Sequence, residues 1–479
     1  MSNKKAIFLL FLFLIFLYIF KNFLSLKYLI IGFSLFAIII FAIYWKKSLI
    51  FLLYWILIEG AFRKWIFPFM QKELFMLKFL ILFSIYAGYL IDKKIKNENI
   101  LPSSPLNLLI ISYIIFGFSQ IFNPKLPNIF VGIIGFVVEF SFIPLIYIVR
   151  EVFDEKEKLY KFLKIYLYSS LPFMILGIIQ YNLPPTHILN YYAHGGLPEA
   201  FAGKGIRVTS TFPYITGYAT YLNLISMILL YIITNFELKL YEKIYTYILI
   251  FLVFLSLFLT GSRGPFGFTL YIYIFYLLTI SIQGYYDYKE IFKLISVFSL
   301  IALFIFLIPF GKKAYNNFMQ RMGEKGEEDI RWRIKITYLE PFEFSEYAGI
   351  LGYGTGSAYQ GVVQFVENEE AWADMPRAFE PEPGRLILEY GILGFILIFI
   401  LRWSIILGFF KNFLSLQDLK LKYLSLLIFL YLIPSGIMLS QLNFDTQKNL
   451  FFWFFSGFLF LFDKFEKKKI NITKYEVER

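Results

Sequence analysis

Two acidic residues, Glu380 and Glu382, are the candidate catalytic groups of this chain. They lie in the segment Phe379-Glu380-Pro381-Glu382-Pro383-Gly384, directly before a long apolar run. The prolines restrict the backbone and are expected to hold both carboxylates at a membrane surface. A carboxylate in apolar surroundings is suited to accept a proton from a hydroxyl group. The alternative is structural: Arg385 pairs with Glu382 at a helix N-terminus, or with Glu389 one turn further on.

Cationic residues recur in connectors predicted to face away from the cytoplasm. Arg263 lies in a short turn, Thr260-Gly261-Ser262-Arg263-Gly264-Pro265, where its planar guanidinium is suited to phosphate oxygens. A snorkelling arginine that contacts lipid headgroups is the alternative. The other candidate anion ligands on this predicted side are Arg63, Lys64, Arg207, Arg331, Arg333 and Arg385, and Lys204 and Arg321 lie there as well. Together with a carboxylate base they predict an anionic, lipid-linked diphosphate substrate that leaves as the acceptor attacks.

The elements that must position these groups are membrane-spanning helices. The chain is 58% hydrophobic and 22% aromatic, and its long apolar runs fit the thickness of a bilayer. We therefore predict an all-α, polytopic integral membrane protein with about twelve to fourteen transmembrane helices. The predicted spans are 6–20, 28–44, 48–58, 74–91, 106–122, 129–149, 160–180, 214–234, 243–260, 265–282, 291–310, 385–409, 421–440 and 448–463.

The distribution of lysine and arginine predicts the orientation. If the N-terminus is cytoplasmic, every alternate connector is rich in these residues, as the positive-inside rule requires. Both termini are then cytoplasmic, and the connectors 59–73 and 181–213 face outward with residues 311–384. The predicted organisation is N-terminal transmembrane helices over 1–310, one large extracytoplasmic loop over 311–384, and C-terminal helices with a basic cytoplasmic tail over 385–479.

Composition and motifs argue against several other classes. The net charge of +12 lies mainly in short connectors, so it indicates orientation and not nucleic acid binding. Cysteine is absent, and His187 and His194 have no carboxylate motif beside them, so we expect neither a metal nor another cofactor. The run Gly352-Tyr353-Gly354-Thr355-Gly356 has no nucleotide-binding context and predicts a tight turn or a close approach to substrate. The acidic run 367–370 predicts a solvated loop, and Glu139, inside a span, predicts a buried partner or a cavity.

Several short motifs, in this order, resemble the O-antigen ligase and O-antigen polymerase superfamily. These are bacterial membrane glycosyltransferases that act on undecaprenyl-diphosphate-linked glycans. The matching segments are Glu59-Gly60-Ala61-Phe62-Arg63-Lys64-Trp65, Arg207-Val208-Thr209-Ser210-Thr211-Phe212-Pro213, Thr260-Gly261-Ser262-Arg263-Gly264, the Arg331/Arg333 segment with Gly352-Tyr353-Gly354-Thr355-Gly356, and Glu389-Tyr390-Gly391-Ile392-Leu393-Gly394.

The resemblance implies a GT-C-like fold with an outer cavity open to lipid, and metal-independent transfer with inversion at the anomeric carbon. It also implies that Arg207 and Arg263 contact the diphosphate of the donor. Where many ligases carry a histidine, this chain has Glu380-Pro381, so the base is Glu380 or Glu382. The implied partners are an undecaprenyl-diphosphate-linked glycan donor, a glycan or lipid acceptor and membrane lipids, in a bacterial inner membrane.

Two other functions compete with a glycosyltransferase. A transporter, for instance a flippase of lipid-linked oligosaccharides, would use the intramembrane Glu139 and a basic cavity. It predicts internal repeats and broken helices at the membrane midplane. A scaffold protein would leave the outer arginines without a role. The sequence favours the enzyme, with ligase and polymerase both open.

Overall fold

The computed structural model describes residues 36–193, 196–198, 200–202, 204–285, 288–323, 326–366, 381–439 and 441–466. Almost all described regular structure is helical, which confirms an all-α, multi-pass membrane protein. A small antiparallel hairpin is also present, with β1 at Phe201–Ala202, β2 at Gly205–Ile206 and Phe201 opposite Ile206.

The chain divides into two compact units. The first contains residues 1–57 and 72–101, and the second contains residues 58–71 and 102–479. Helix α1, Trp45–Ala61, begins in the first unit and continues into a π-helical turn, Phe62–Ile66, in the second. Helix α2, Gln71–Ile95, lies in the first unit from its second residue onward. There Gly88 permits close packing, because a Cβ atom at this position would lie 2.0 Å from the carbonyl oxygen of Ala42.

The second unit contains most of the helices. Their bounds are α3 Leu106–Ser119, α4 Ile129–Phe140, α5 Leu145–Val152, α6 Lys156–Tyr168, α7 Leu171–Asn182, α8 Ile215–Asn235, α9 Leu240–Leu259, α10 Arg263–Ile282, α11 Tyr288–Leu307, α12 Pro309–Gly323, α13 Gly326–Tyr338, α14 Phe344–Ala348, α15 Glu382–Ser415, α16 Leu419–Gly436 and α17 Thr446–Ser456. Short 3₁₀ turns occur at Gln120–Phe122, Ile188–Asn190, Glu340–Phe342 and Gln360–Phe365.

Eight helices in the described part are long and apolar enough to cross a membrane, or up to ten if each of two bent pairs is one span. Every predicted span from 48–58 onward falls on a helix, whereas 6–20 and most of 28–44 lie outside the described residues. The predicted span 129–149 contains a break between α4 and α5. Pro144 lies at this break and contributes to it, because proline has no N–H group to donate to the carbonyl of the preceding helical turn.

The segment predicted as a large loop, 311–384, is mostly helical where it is described. Helix α12 follows α11 after a bend of 98°. Helices α13 and α14 and the glycine-rich turn follow. Residues 367–380, which include Glu380 and the acidic run, lie outside the described residues.

Connectors predicted to share a side of the membrane contact each other. On the predicted outer side, Trp65 Nε1 donates to Ile188 O at 3.0 Å, and Asn317 Nδ2 donates to the Tyr181 hydroxyl at 2.9 Å. On the predicted inner side, Lys156 pairs with Asp418 at 2.6 Å, and two further ion pairs, Lys164–Glu242 and Lys464–Glu151, join other connectors. The contacts fit the predicted alternation, and which side faces the cytoplasm stays a prediction.

Candidate functional site

Two of the predicted anion-binding motifs meet at the start of α10. Arg207, directly after the β hairpin, donates from Nε to Thr260 O at 2.9 Å and from Nη2 to Ser262 Oγ at 2.8 Å. These two bonds fix the plane of its guanidinium against the turn that carries Arg263. Gly261 has φ +59 in this turn, and a Cβ atom there would lie 3.2 Å from Arg207 Cγ. The structure therefore brings the Arg207 and Arg263 segments together.

The connector 59–73, which is predicted to face outward, packs against the same motif. Lys64 is buried, and its Nζ donates to Thr209 Oγ1 at 3.0 Å and to Ser210 O at 2.5 Å. Gly60 makes room for this approach, because a Cβ atom there would lie 2.3 Å from Thr211 O. Lys64 thus connects its own segment to the segment that contains Thr209 and Ser210. Its role as an anion ligand stays a prediction.

Ser210 is held by a side chain that the sequence analysis did not select. Gln180 Oε1 accepts from Ser210 N at 2.7 Å, and Gln180 Nε2 donates to Ser210 O at 3.0 Å. Ser210 has φ +50, a conformation that costs energy for a residue other than glycine. The buried glutamine supports that backbone with two bonds. Its position as a polar residue inside the predicted span 160–180 was a signal that could have identified it.

Arg63 lies beside this cluster but is held by neighbours. It pairs with Glu59 at 3.1 Å and donates from Nε to Gln71 Oε1 at 3.2 Å. Its charge also acts on Tyr359, together with the charges of Glu59 and Glu139. Burial raises the pKa of Tyr359 to about 12, so its hydroxyl is neutral at physiological pH. Tyr359 is thus within electrostatic reach of Arg63 and of Glu139, which belongs to a second, acidic cluster.

An apolar groove of about 470 Å³ begins directly after Arg263. It is formed by the first turns of α10, the first half of α8, the end of α16 and the start of α17. The size is typical of sites that bury a small ligand or part of a chain molecule. Its lining residues are Thr220, Asn223, Gly264, Pro265, Gly267, Phe268, Tyr271, Tyr431, Leu432, Ile433, Pro434, Ser435, Ile437, Leu439, Leu442, Lys448 and Phe452.

The other predicted anion ligands lie elsewhere in the second unit. Arg331 and Arg333 are exposed on α13. Arg385 is buried near the start of α15, with its guanidinium 5.2 Å from the centre of the Phe444 ring. Helix α13 ends close to the groove, because the Tyr338 hydroxyl donates to Ile437 O at 2.9 Å. The binding roles of these three arginines stay predictions.

Glu382 is occupied by a partner that the sequence analysis did not identify. Its two oxygens accept from Arg402 Nη2 at 2.7 Å and Nη1 at 3.0 Å. Oε1 also accepts from Asn443 N at 2.9 Å. The expected pairing with Arg385 at the helix N-terminus is wrong, because this buried bidentate contact is stronger than an interaction with a helix end. The catalytic role of Glu382 stays a prediction, and Glu380 lies outside the described residues.

The pair Glu382–Arg402 is possible only because α15 is broken. The two residues are 20 positions apart, which in a straight helix would separate them by about 30 Å. At Gly391 the backbone has φ +65 and ψ −173, and the helix changes direction there. A side chain at this position would also meet Ile350 O, 2.1 Å from the Cβ atom. Glycine is therefore required at this position for two reasons: it adopts the positive φ readily, and it has no side chain that would clash with Ile350 O.

The glycine-rich turn binds the backbone groups that the break leaves open. Tyr353 N donates to Leu388 O at 2.8 Å, and Gly354 N donates to Glu389 O at 2.9 Å. Buried carbonyl groups at a helix break need such partners. Gly354 has φ +100, which only glycine adopts readily. The prediction of a tight turn is thus confirmed, with a broken helix as the structure it caps.

Glu139 lies at the end of α4, in the acidic cluster behind the turn. Its Oε2 accepts from the Tyr390 hydroxyl at 2.7 Å and from Asn443 Nδ2 at 3.5 Å. Its carboxyl also lies within interaction distance of that of Glu389, whose Oε1 accepts from Ala358 N at 3.0 Å. The expected i,i+4 pair of Glu389 with Arg385 is therefore wrong, because Glu389 points toward the turn.

Two residues of this cluster were missed by the sequence analysis although one carried a signal. Arg402 interrupts the apolar span 385–409, and a charged residue at such depth needs a partner. The sequence around Asn443 gave no signal of a buried role, because a single asparagine in a short connector is common in exposed loops. Asn443 donates from Nδ2 to the Tyr113 hydroxyl at 2.9 Å. Among the described residues, no group of three or more acidic or histidine side chains is arranged to hold a metal.

Comparison with models of known protein families finds no match to this chain, and comparison with curated proteins finds none either. The class that fold and site define is thus a helical, multi-pass membrane protein with a cationic turn beside an apolar groove. Membership of the O-antigen ligase and polymerase superfamily stays a prediction from the motifs.

Proposed function

We propose that this protein is a membrane glycosyltransferase that moves a glycan from an undecaprenyl-diphosphate carrier to an acceptor. The observation that carries the proposal is the contact between Arg207 and the turn before Arg263. It gathers guanidinium groups at one helix start, next to an apolar groove of about 470 Å³. A diphosphate with a polyprenyl chain needs this combination of cations and apolar surface.

In this scheme the two arginines bind the diphosphate and stabilise the negative charge that develops on it as the glycosyl bond breaks. The polyprenyl chain lies in the groove, whose wall includes Phe268 and Tyr431. The acceptor hydroxyl attacks the anomeric carbon from the opposite side, which inverts its configuration. No metal enters the scheme, since fixed guanidinium groups supply the positive charge.

The general base of the scheme is Glu380 or Glu382. The bidentate contact with Arg402 occupies both carboxylate oxygens of Glu382, so neither oxygen is open to a substrate hydroxyl. Glu380 is therefore the base we favour. The acceptor is a second lipid-linked repeat unit in a polymerase or a lipid core in a ligase.

The proposal includes the finer predictions from the resemblance. The helices adopt a GT-C-like arrangement, residues 311–384 face the periplasm, and both termini are cytoplasmic in a bacterial inner membrane. The pattern of connectors in contact, such as Lys156 with Asp418 and Trp65 with Ile188, supports the alternation of sides on which this orientation depends.

A flippase of lipid-linked oligosaccharides is the second candidate, and the buried acidic cluster favours it. Transporters use intramembrane carboxyl groups and broken helices, and Glu139 and the break at Gly391 provide both features. The enzyme is preferred because the cationic turn and the groove lie together at one end of α10.

Reconstitution separates the two candidates. The full chain in liposomes is supplied with a polyprenyl-diphosphate-linked oligosaccharide and an equal amount of acceptor, and products are analysed by mass spectrometry. Longer glycans or conjugates with new glycosidic bonds support the enzyme. Movement of a fluorescent lipid-linked glycan across the bilayer without new bonds supports the flippase and rejects our proposal.

The groove gives a prediction of its own at Gly267. Replacement by phenylalanine is expected to raise KM for a long-chain donor by about tenfold or more, because the ring occupies the groove. A Cβ atom at Gly267 meets nothing within 4 Å, so the change itself adds no clash at its base. The measurement compares donors with long and short polyprenyl chains.

Gly267→Ala serves as the matched control, since a methyl group leaves most of the groove open. It is expected to behave like the unchanged protein with both donors. Equal KM values for Gly267→Phe and the unchanged protein with the long-chain donor would show that the chain binds elsewhere.

A further inference from the structure

Two carboxyl groups face each other in the interior of the second unit. Glu139 ends α4, and Glu389 precedes the break in α15 by two residues. Both side chains are buried, with 1% and 0% of their surface exposed. The two carboxyls lie within interaction distance of each other, since Tyr390, the residue next to Glu389 in the chain, donates its hydroxyl to Glu139 Oε2 at 2.7 Å. Neither position has an assigned role in the glycosyl transfer proposed above.

Each carboxyl has one oxygen with a donor and one without. Glu139 Oε2 accepts from Tyr390, and Glu389 Oε1 accepts from Ala358 N. Glu139 Oε1 and Glu389 Oε2 are buried and have no donor among the described residues. A buried oxygen without a donor is costly, and two ionised carboxyls in contact repel. One proton on either group removes both problems, because it converts one oxygen into a donor for the other.

We propose that Glu139 and Glu389 form a proton-binding site that holds one proton between them. The proton is a ligand of the folded protein, exchanged with water, and its loss converts a carboxyl and a carboxylate into two carboxylates. No other bond is made or broken.

Two buried arginines of α15 lie near this cluster. Arg402 donates through both Nη atoms to Glu382, and Arg385, one turn before Glu389, has its guanidinium 5.2 Å from the centre of the Phe444 ring. Among the described residues, no ion pair of an arginine or lysine with Glu139 or Glu389 is observed. The other groups that act on the pair are neutral donors and one further acid: the hydroxyls of Tyr113, Tyr390 and Tyr359, the amide of Asn443, the backbone N–H of Gly356 and the carboxyl group of Glu382. Arg63 acts on Tyr359 but is paired with Glu59.

The bound proton holds the glycine-rich turn on the broken helix. Glu389 binds Ala358 N through its side chain, while its own carbonyl binds Gly354 N. Loss of the proton drives the two carboxylates apart and pulls Glu389 away from the turn. The turn then detaches from α15, so the docked and released states differ by one proton. Release is expected to rise by up to about tenfold for each pH unit once the proton is lost.

Hydrogen exchange tests the site without substrate. The full chain in detergent is compared with Glu389→Gln and Glu139→Gln over mildly acidic to alkaline pH, and exchange is followed in peptides that cover 352–358. Intrinsic exchange depends on pH equally in all three proteins, so their ratio isolates the opening of the turn. A glutamine amide donates permanently in place of the proton. We expect exchange in the unchanged protein to exceed that of both variants increasingly as the pH rises.

Cysteine labelling gives an independent measurement, since the chain contains no cysteine. Ser357 is 5% exposed in the turn, and Leu351, 49% exposed, provides a reference for the reactivity of a thiol at each pH. The labelling ratio of Ser357→Cys to Leu351→Cys should rise with pH and stay flat when Glu389→Gln is added. A constant ratio, or an equal rise in the glutamine variants, would overturn the proposal. Both outcomes are independent of glycosyl transfer.

Discussion

Replacement of Arg263 by alanine is expected to reduce glycosyl transfer by about 10²–10³-fold while the protein remains folded, because a fixed donor to the developing charge is lost. Arg263 is only partly buried, and it begins α10. Arg263→Lys should recover a small part of the rate, since lysine retains the charge but not the planar fork. The measurement is the initial rate with reconstituted protein, alongside the elution profile in detergent.

Lys335→Ala is the matched control, because it removes a cation from the polar segment without touching the turn. Lys335 is mostly exposed and pairs with Glu340 at 3.2 Å, a contact worth at most about 1 kcal/mol. It should leave the rate unchanged. A normal rate in Arg263→Ala, with product of normal length, would show that the diphosphate does not bind at this turn.

Loss of one partner of the pair Glu382–Arg402 is expected to destabilise the protein by about 3–5 kcal/mol, because an uncompensated charge stays buried. Both side chains are almost fully buried, at 3% for Arg402 and 0% for Glu382. Arg402→Met is the more severe change, since it also removes the donors to Ser435 O and Asn443 Oδ1. Thermal unfolding in detergent measures the effect.

The double variant Glu382→Gln/Arg402→Met separates a structural role from catalysis. If the pair is structural, the double variant should be more stable than Arg402→Met alone, since neither change then leaves an unpaired charge. Glu380→Gln serves as the comparison: it should lose transfer without loss of stability. If Glu382→Gln keeps full stability and loses only transfer, Glu382 is the base and the assignment to Glu380 is wrong.

The two predictions concern different parts of the second unit, and together they explain why the chain has two polar centres. The cationic turn at Arg207 and Arg263 is near an apolar groove and is partly open, as ligand binding requires. The acidic cluster around Glu382 and Glu139 is buried beside the broken helix α15. Tyr359 lies within the electrostatic reach of Glu139 and of Arg63.

The membrane spans followed from the sequence because they depend on local composition. A run such as 214–234 is apolar throughout, and the helix found there, Ile215–Asn235, differs by one residue at each end. The turn before Arg263 was also visible, since glycine and proline between two apolar runs interrupt a helix. The breaks inside spans were less accessible, because Gly391 lies among residues as apolar as those of any continuous helix.

The sequence alone determined that this chain is a helical membrane protein with cations in particular connectors. Hydrophobicity and charge can be read from each segment by itself, without knowledge of its tertiary contacts. The tertiary structure decided the partners: Arg402 for Glu382, Glu139 for Glu389, and the Thr260–Ser262 turn for Arg207. These contacts join residues far apart in the chain or on either side of a helix break. The spacing of residues along the chain does not predict these contacts. They depend on where the helices change direction and on close packing at glycines such as Gly60 and Gly391.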